Sequence, residues 1–455
     1  MTVQQRLIEE NSDNSASLSS GIGTGSCTAS MPSGITSADF KALISAYDSS
    51  GVLDKNIFNS LVKLLDQENV SLAIVVIESL LTVNPTSLYL NFLLGSALFK
   101  NGQSVEAIHA YKNMLAQPNS PHGDPSEQKL LYNANNNLGL LFKNIGLLQD
   151  AKKYLFAAIG LNPEKGDAYN NLGTVMLEMA DVLEAQKLYL RAVKLEPNEP
   201  NYYWNLQSTA TTVNTAKHIL SLCLKKGPNY QPGILTLAGL EALTGNHVHF
   251  NYLKENGWGD DPLIQSIDWV LKLPKPPEVH FNRWALFDSM AEQSNKSRPF
   301  YEFGVWMGSS FEYLAKYYAK GYGFDTFDGL PEDWGQIKKG SYSAYGRIPK
   351  VKNGDFVVGK FDASLPAFFS IKRPVASIVN YDADLYSSTL TALNYAHSVT
   401  DEETILIFDE FLVNQNWQDD ESAALNEFCL QNNLKYEVLA VSLFTKQMAC
   451  KLSKK

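Results

Sequence analysis

The chain has 455 residues, 45% of them hydrophobic, which is enough for two or three domains with cores of their own. Its net charge is −10 with no Lys/Arg cluster, which argues against a nucleic-acid partner. The four cysteines (Cys27, Cys223, Cys429, Cys450) lack C-x-x-C spacing, and the chain has neither an apolar leader nor a run of about 20 apolar residues; the expectation is a cytoplasmic protein with no disulfide framework, zinc site or membrane span.

Residues 1–38 are rich in Ser, Gly and Thr and read as a disordered tail. Helical periodicity begins near Phe40, and residues 39–257 read as an all-α solenoid. Gly139 and Gly173, Ala151 and Ala185, and Pro163 and Pro197 are each 34 residues apart. A period of that length, with a small residue in each helix and a closing proline, is the tetratricopeptide signature. An earlier copy starts near Leu88, and PNSPHGDPSEQK (118–129) reads as an inserted loop. Over 207–256 the pattern degrades into two helix pairs, one of them a cap.

Asn137, Asn171 and Asn205 recur one period apart, just before the leucine of each first helix. An asparagine amide can both donate to and accept from an extended backbone, so these three are candidate contacts for a protein or peptide partner. The arrangement resembles the asparagine ladder in the repeats of O-linked N-acetylglucosamine transferases. The alternative is a row of polar residues on a solvated helix face. Residues 258–280 contain a short helix and the stretch PKPPE, and read as a semi-rigid linker.

From Phe281 to the C-terminus, strands alternate with helices, which implies an α/β domain on a parallel sheet over 281–455. FNRWALFDSMAEQS reads as a helix, FYEFGV as a strand and SFEYLAKYYAK as a helix. YGFDTF, FVVGKF, VASIVNYD and TILIFDEF read as strands, with a long loop after the first of them. YEVLAVS and QMACKL close the chain as an antiparallel pair, an ending that favours a Rossmann-like class I methyltransferase order over the fully parallel order of dinucleotide-binding domains.

Ligands of open parallel sheets bind beyond the carboxyl ends of the strands. Acids stand at those ends throughout: Glu302, Asp325, Asp362, Asp382 with Asp384, and Asp409 with Glu410. Glu302 lies inside an apolar strand, which is costly without a partner. Gly304 and Gly308 follow it as G-x-x-x-G, which differs from the G-x-G-x-x-G of a dinucleotide site. Asp325 is placed to accept from ribose hydroxyls, and Asp362 to reach an adenine amine.

GVWMGSS, FDTFDGLPEDW, YDADLYSSTLTAL and IFDEF, followed by AALNEF, resemble the macrocin O-methyltransferase-like family over about Phe281 to Leu452. The metal placement is more distantly similar to that of catechol O-methyltransferase. The resemblance implies S-adenosylmethionine held by Glu302, Gly304, Gly308, Asp325 and Asp362, and Mg²⁺ held by Asp382, Asp409 and Glu410. It also implies Asp384 as the base, and a sugar or glycoconjugate hydroxyl as acceptor. Met307 stands where the family has arginine, and IFDEF where it has a paired aspartate and tyrosine. The expected function is O-methyl transfer, with the repeats binding a partner or substrate. The alternatives are methylation of a protein side chain presented by the repeats, and a scaffold whose methyltransferase-like domain is inactive.

Overall fold

The computed structural model describes residues 61–62, 65, 69–117 and 125–455; the expected tail over 1–38 lies outside them. The chain divides into two compact units, one ending at Glu164 and the other running from Lys165 to Lys455.

The described part of the first unit is helical. It comprises α1 (Val70–Val83), α2 (Leu88–Lys100), α3 (Ser104–Leu115), α4 (Pro125–Asn144) and α5 (Leu148–Leu161). Helix α4 starts at Pro125, so the end of the expected inserted loop is its first turn, where proline is tolerated. Helices α4 and α5 approach closely because residue 139 has no side chain: a Cβ on Gly139 would lie 2.4 Å from Leu155 Cγ.

The second unit opens with α6 (Gly166–Glu178), α7 (Val182–Leu195) and α8 (Pro200–Leu206), the last continuing as a 3₁₀ turn, Gln207–Thr209. At the equivalent position one period on, a Cβ on Gly173 would lie 2.7 Å from the Tyr189 ring. Then come α9 (Val213–Lys226), α10 (Gln231–Leu243), α11 (Val248–Leu253) and α12 (Pro262–Leu271). No described helix is long and apolar enough to cross a membrane.

The α/β part of this unit is built on eight strands: β1 (Glu278–His280), β2 (Phe300–Phe303), β3 (Gly321–Asp325), β4 (Gly354–Val358), β5 (Ile378–Tyr381), β6 (Ile405–Phe408), β7 (Leu434–Ser442) and β8 (Met448–Lys454). Their order is β1-β7-β8-β6-β5-β2-β3-β4. Strand β8 is antiparallel to both of its neighbours, and the other pairings are parallel. Strands β2, β5 and β6 are buried along their whole length, which explains their near-continuous apolar sequences. The connecting helices are α13 (Arg283–Gln293), α14 (Ser309–Leu314), α15 (Phe361–Phe368), α16 (Tyr386–Ala396) and α17 (Glu421–Gln431).

Three expectations need correction. The linker over 258–280 is built into the second unit: Ile264, Ile267 and Val270 of α12 are buried in one cluster with Leu406, Phe411 and Trp417. Strand β1 pairs with Ala440–Ser442, and Lys275 bridges Glu437 at 2.8 Å, so the proline stretch lies along the sheet. The helix expected over SFEYLAKYYAK stops at Leu314, where Asn353 Nδ2 donates to the carbonyls of Ala315 and Tyr318 (2.9 and 2.6 Å). The strand expected over FVVGKF ends at Val358 and a helix begins at Phe361, so Asp362, expected just after the strand, stands in the first turn of α15.

Candidate functional site

Strand β2 ends at Phe303, and the chain leaves it through Gly304 at φ +90°. A Cβ there would lie 1.7 Å from the carbonyl oxygen of Asp382, so the backbones after β2 and β5 meet in a way that only glycine permits. Asp382 N donates to Phe303 O at 2.8 Å, which fixes the first of the expected acids beside this turn.

A cavity of about 400 Å³ opens at these strand ends. Gly304, Asp325, Asp362, Asp382, Asp384, Asp409 and Glu410 all line it. Two expected cofactor residues do not. Glu302 is fully buried in β2 beneath the cavity and accepts from Asn380 Nδ2 at 2.8 Å. Gly308, at φ +86°, caps α14 and seats the long loop, since a Cβ on it would strike Pro349 at 2.6 Å.

Asp325 is largely engaged by the chain itself. Its Oδ2 accepts from Val305 N and Trp306 N, and its Oδ1 from Phe327 N, each at 2.7 Å. A carboxylate offers about four acceptor sites, so its principal work is to shape the turn after β2. Trp306 takes φ +48° there and meets Tyr342 edge-on, with ring centroids 5.8 Å apart. Tyr342 belongs to the loop between β3 and β4, which walls the cavity through Gly329, Leu330, Pro331 and Glu332. The loop is tied down at two points: Ser387 Oγ donates to Glu332 at 2.7 Å, and Trp334 Nε1 donates to Asp420 at 3.1 Å.

The acids after β5 and β6 raise one another's affinity for protons. Burial first, then Asp409 and Asp384, push the Asp382 carboxyl well above the usual range. Burial first, then Glu410 and Asp409, do the same to Asp384, which sits in the left-handed region at φ +58°. Glu421, at the start of α17, is wholly buried; burial and the charges of Asp384, Asp409 and Glu410 raise it too. It accepts from Glu410 N at 3.1 Å.

Cations and two amides face these acids, and the expectations from sequence missed them. Arg283 Nη2 lies 3.4 Å from Asp409 Oδ2, and Gln447 Nε2 donates to Asp409 Oδ1 at 2.7 Å. Lys446 Nζ lies 2.9 Å from Glu410 Oε2, which also accepts from Asn414 Nδ2. Burial opposes the Arg283 charge, but Asp409, Glu178, Asp382 and Glu410 together outweigh it and hold the guanidinium protonated. Among the described residues, no group of three His, Cys, Asp and Glu side chains is arranged to hold a metal ion. Of the set expected for magnesium, Asp382, Asp409 and Glu410, two members turn their oxygens elsewhere: Asp409 faces Arg283 and Gln447, and Glu410 faces Lys446 and Asn414, an arrangement that does not suit the ion.

The three repeat asparagines are half-buried, and their side chains meet neighbouring polar groups. In the first unit, Asn137 Nδ2 donates to Tyr111 Oη at 2.8 Å. In the second, Asn205 Nδ2 donates to Asn170 Oδ1 at 2.9 Å, and Asn170 Nδ2 lies 3.5 Å from Asn171 Oδ1.

Residues 132–165 and 166–199 match the tetratricopeptide repeat family model. The chain carries tetratricopeptide repeats. Such repeats generally mediate protein–protein interaction. Similar solved structures include Pseudomonas aeruginosa pilF, at 19% identity, covering 48% of this chain and 94% of that one with a TM-score of 0.37. YrrB, described as a TPR protein with an unusual peptide-binding site, is 16% identical over 43% of this chain and 98% of its own, with a TM-score of 0.33. CalS11, a calicheamicin methyltransferase, is 16% identical over 49% of this chain and 93% of its own, with a TM-score of 0.32. No curated protein matches the sequence.

Proposed function

We propose that the cavity binds S-adenosylmethionine and that the protein transfers a methyl group to a hydroxyl of a sugar or glycoconjugate, with the repeats holding a protein or peptide partner. The observation that carries this is the cavity itself. It opens at the carboxyl ends of the central strands, and Gly304, Asp325, Phe361 and Asp362 line it together with the acids that follow β5 and β6. The insertion of β8, antiparallel, between β6 and β7 supports a class I methyltransferase order.

The donor set suits a nucleoside. Phe361 offers an apolar face, Asp362 an acceptor for an amine, and Asp325 frames the turn that faces both. Bound there, the cofactor supplies an electrophilic methyl on a sulfonium. Asp384 is the group we assign to the acceptor hydroxyl. It takes the proton as the oxygen–methyl bond forms and the sulfur–methyl bond breaks, leaving neutral S-adenosylhomocysteine and a protonated Asp384. Burial and the neighbouring acids raise its proton affinity, which makes it a stronger base than an ordinary carboxylate. Leu330, Pro331 and Tyr342 line the cavity, and their apolar surface would reduce the water around the reacting atoms once a ligand is bound.

Calorimetric titration of S-adenosylhomocysteine into the full chain tests the reading. Binding is expected, and Asp362→Ala, an exposed change in the first turn of α15, should weaken it about tenfold or more, the scale of one charge-assisted hydrogen bond. No binding by the wild type would leave a repeat scaffold with an inactive α/β domain.

A further inference from the structure

Clustered carboxylates repel, so protons or a cation must offset the charge of Asp382, Asp384, Asp409 and Glu410. The chain supplies one from an unexpected direction. Arg283 is the first residue of α13; it lines the cavity and keeps only 23% of its side chain exposed. Both neighbours of Arg283 are fastened to the repeat helices of the same unit. Asn282, 2% exposed, caps α13 through Ala285 N and donates its Nδ2 to Ser208 O, both at 2.9 Å. Trp284 Nε1 donates to Leu177 O of α6, and Glu178, the next residue, adds its charge to the field on Arg283. The second cation has similar backing. Lys446 and Gln447 follow Phe444 in the β7–β8 turn, and the Phe444 ring lies 4.9 Å from that of Trp204 in α8.

We propose that Arg283, fixed in place by the repeat segment from Leu177 to Ser208, stands where a divalent ion would otherwise stand among these acids, so that the site works without a metal. The arrangement of side chains supports this directly. Asp409 is held through one oxygen by Gln447 and through the other by Arg283, and Glu410 is turned to Lys446. An arginine keeps its proton in a protein, so it offsets the acids at every working pH. It offers an alkoxide no direct ligand bond, which leaves the hydroxyl proton to Asp384. The role of Asp384 rests on the methyl-transfer reading; the exclusion of metal does not.

The test uses Mn²⁺ as the probe, followed by electron paramagnetic resonance, on the full chain as wild type, Arg283→Gln, Arg283→Lys and Asn282→Ala. Wild type and Arg283→Lys should leave manganese free at millimolar concentration. Arg283→Gln removes the charge from the acids and should bind it on the order of tenfold more tightly or better, because affinity follows the net charge of the ligand set. Asn282→Ala, which frees the start of α13 but keeps the arginine, should fall between them. Tight, magnesium-displaceable manganese binding by the wild type overturns the proposal without any variant. A folded Arg283→Gln that gains no affinity overturns it as well. Titration of S-adenosylhomocysteine into the same samples separates the two readings. If that ligand fails to bind while wild type still excludes manganese, the methyl-transfer reading falls and the role of Arg283 stands.

Discussion

Glu302 shows how one buried residue shapes the pH response. It lies inside β2, fully buried, and burial pushes its carboxyl from 4.5 up to about 8, against hydrogen bonds from Ser310 and Asn380. Below pH 4.5 the group is protonated whether the chain is folded or not, and nothing is lost. From there up to about pH 8 the unfolded chain gains by ionising and the folded chain does not. Stability therefore falls over that window, by up to about 1.4 kcal/mol per pH unit. Glu302→Gln keeps an oxygen for Asn380 and cannot ionise. Its melting temperature should exceed that of wild type at pH 8, with the gap closing toward pH 5. A gap that stays constant with pH would show that the buried carboxyl is not neutral. Asp382, Asp384 and Glu421 shift in the same direction, so the wild-type slope survives in part and the difference between the two chains is the quantity to follow. Asp382, Asp384, Asp409 and Glu410 were legible in the sequence because they follow recognisable strands, whereas Glu421, at a helix start, was not. Arg283, Lys446 and Gln447 were not, because they reach the acids from a helix start and a hairpin turn far away in the chain.

At the scale of elements, the 34-residue period exposed the repeats because glycine recurs where paired helices touch. Gly173 and Gly160 make a matched pair of tests. A Cβ on Gly173 meets the Tyr189 ring at 2.7 Å, whereas one on Gly160, in α5, meets nothing within 4 Å. Gly→Ala in a free helical position should stabilise by up to about 1 kcal/mol. Gly160→Ala should therefore gain that amount, while Gly173→Ala should lose about 1–3 kcal/mol through overpacking. Urea unfolding of the full chain, resolved into its two units, measures both. Equal effects at the two sites would mean that helix spacing is not what glycine secures. Helix α15 escaped the sequence because Pro366 lies inside it, and a proline there usually signals a break. The early stop of α14 escaped because Asn353, which binds the carbonyls of Ala315 and Tyr318 just past the helix, lies beyond a long loop.

At the scale of the whole molecule, composition suggested a division that packing does not follow. PKPPE looks like a joint, and the change from helical to strand periodicity falls beside it. The compact units instead part between Glu164 and Lys165, because α10 and α12 bury Leu235, Ile264 and Ile267 in the same cluster as Leu406, Phe411 and Trp417. Polar ties act in the same direction: Ser266 Oγ accepts from Val413 N at 2.9 Å, and Asn282 and Trp284 donate to carbonyls of the repeat segment. Two truncations tell the divisions apart. A chain beginning at Lys165 keeps every one of these contacts and should fold and melt as one unit. A chain beginning at Lys275 loses α6 to α12, and with them the burial of Ile264, Ile267 and Val270, worth about 1.5–3 kcal/mol each. It also leaves Asn282 Nδ2 and Trp284 Nε1 without their carbonyl partners. The shorter chain should aggregate, or melt lower by on the order of 10 °C or more. If it melts with the longer one and binds S-adenosylhomocysteine equally well, the repeat helices of the second unit are a passenger on the α/β domain and have no part in holding its site.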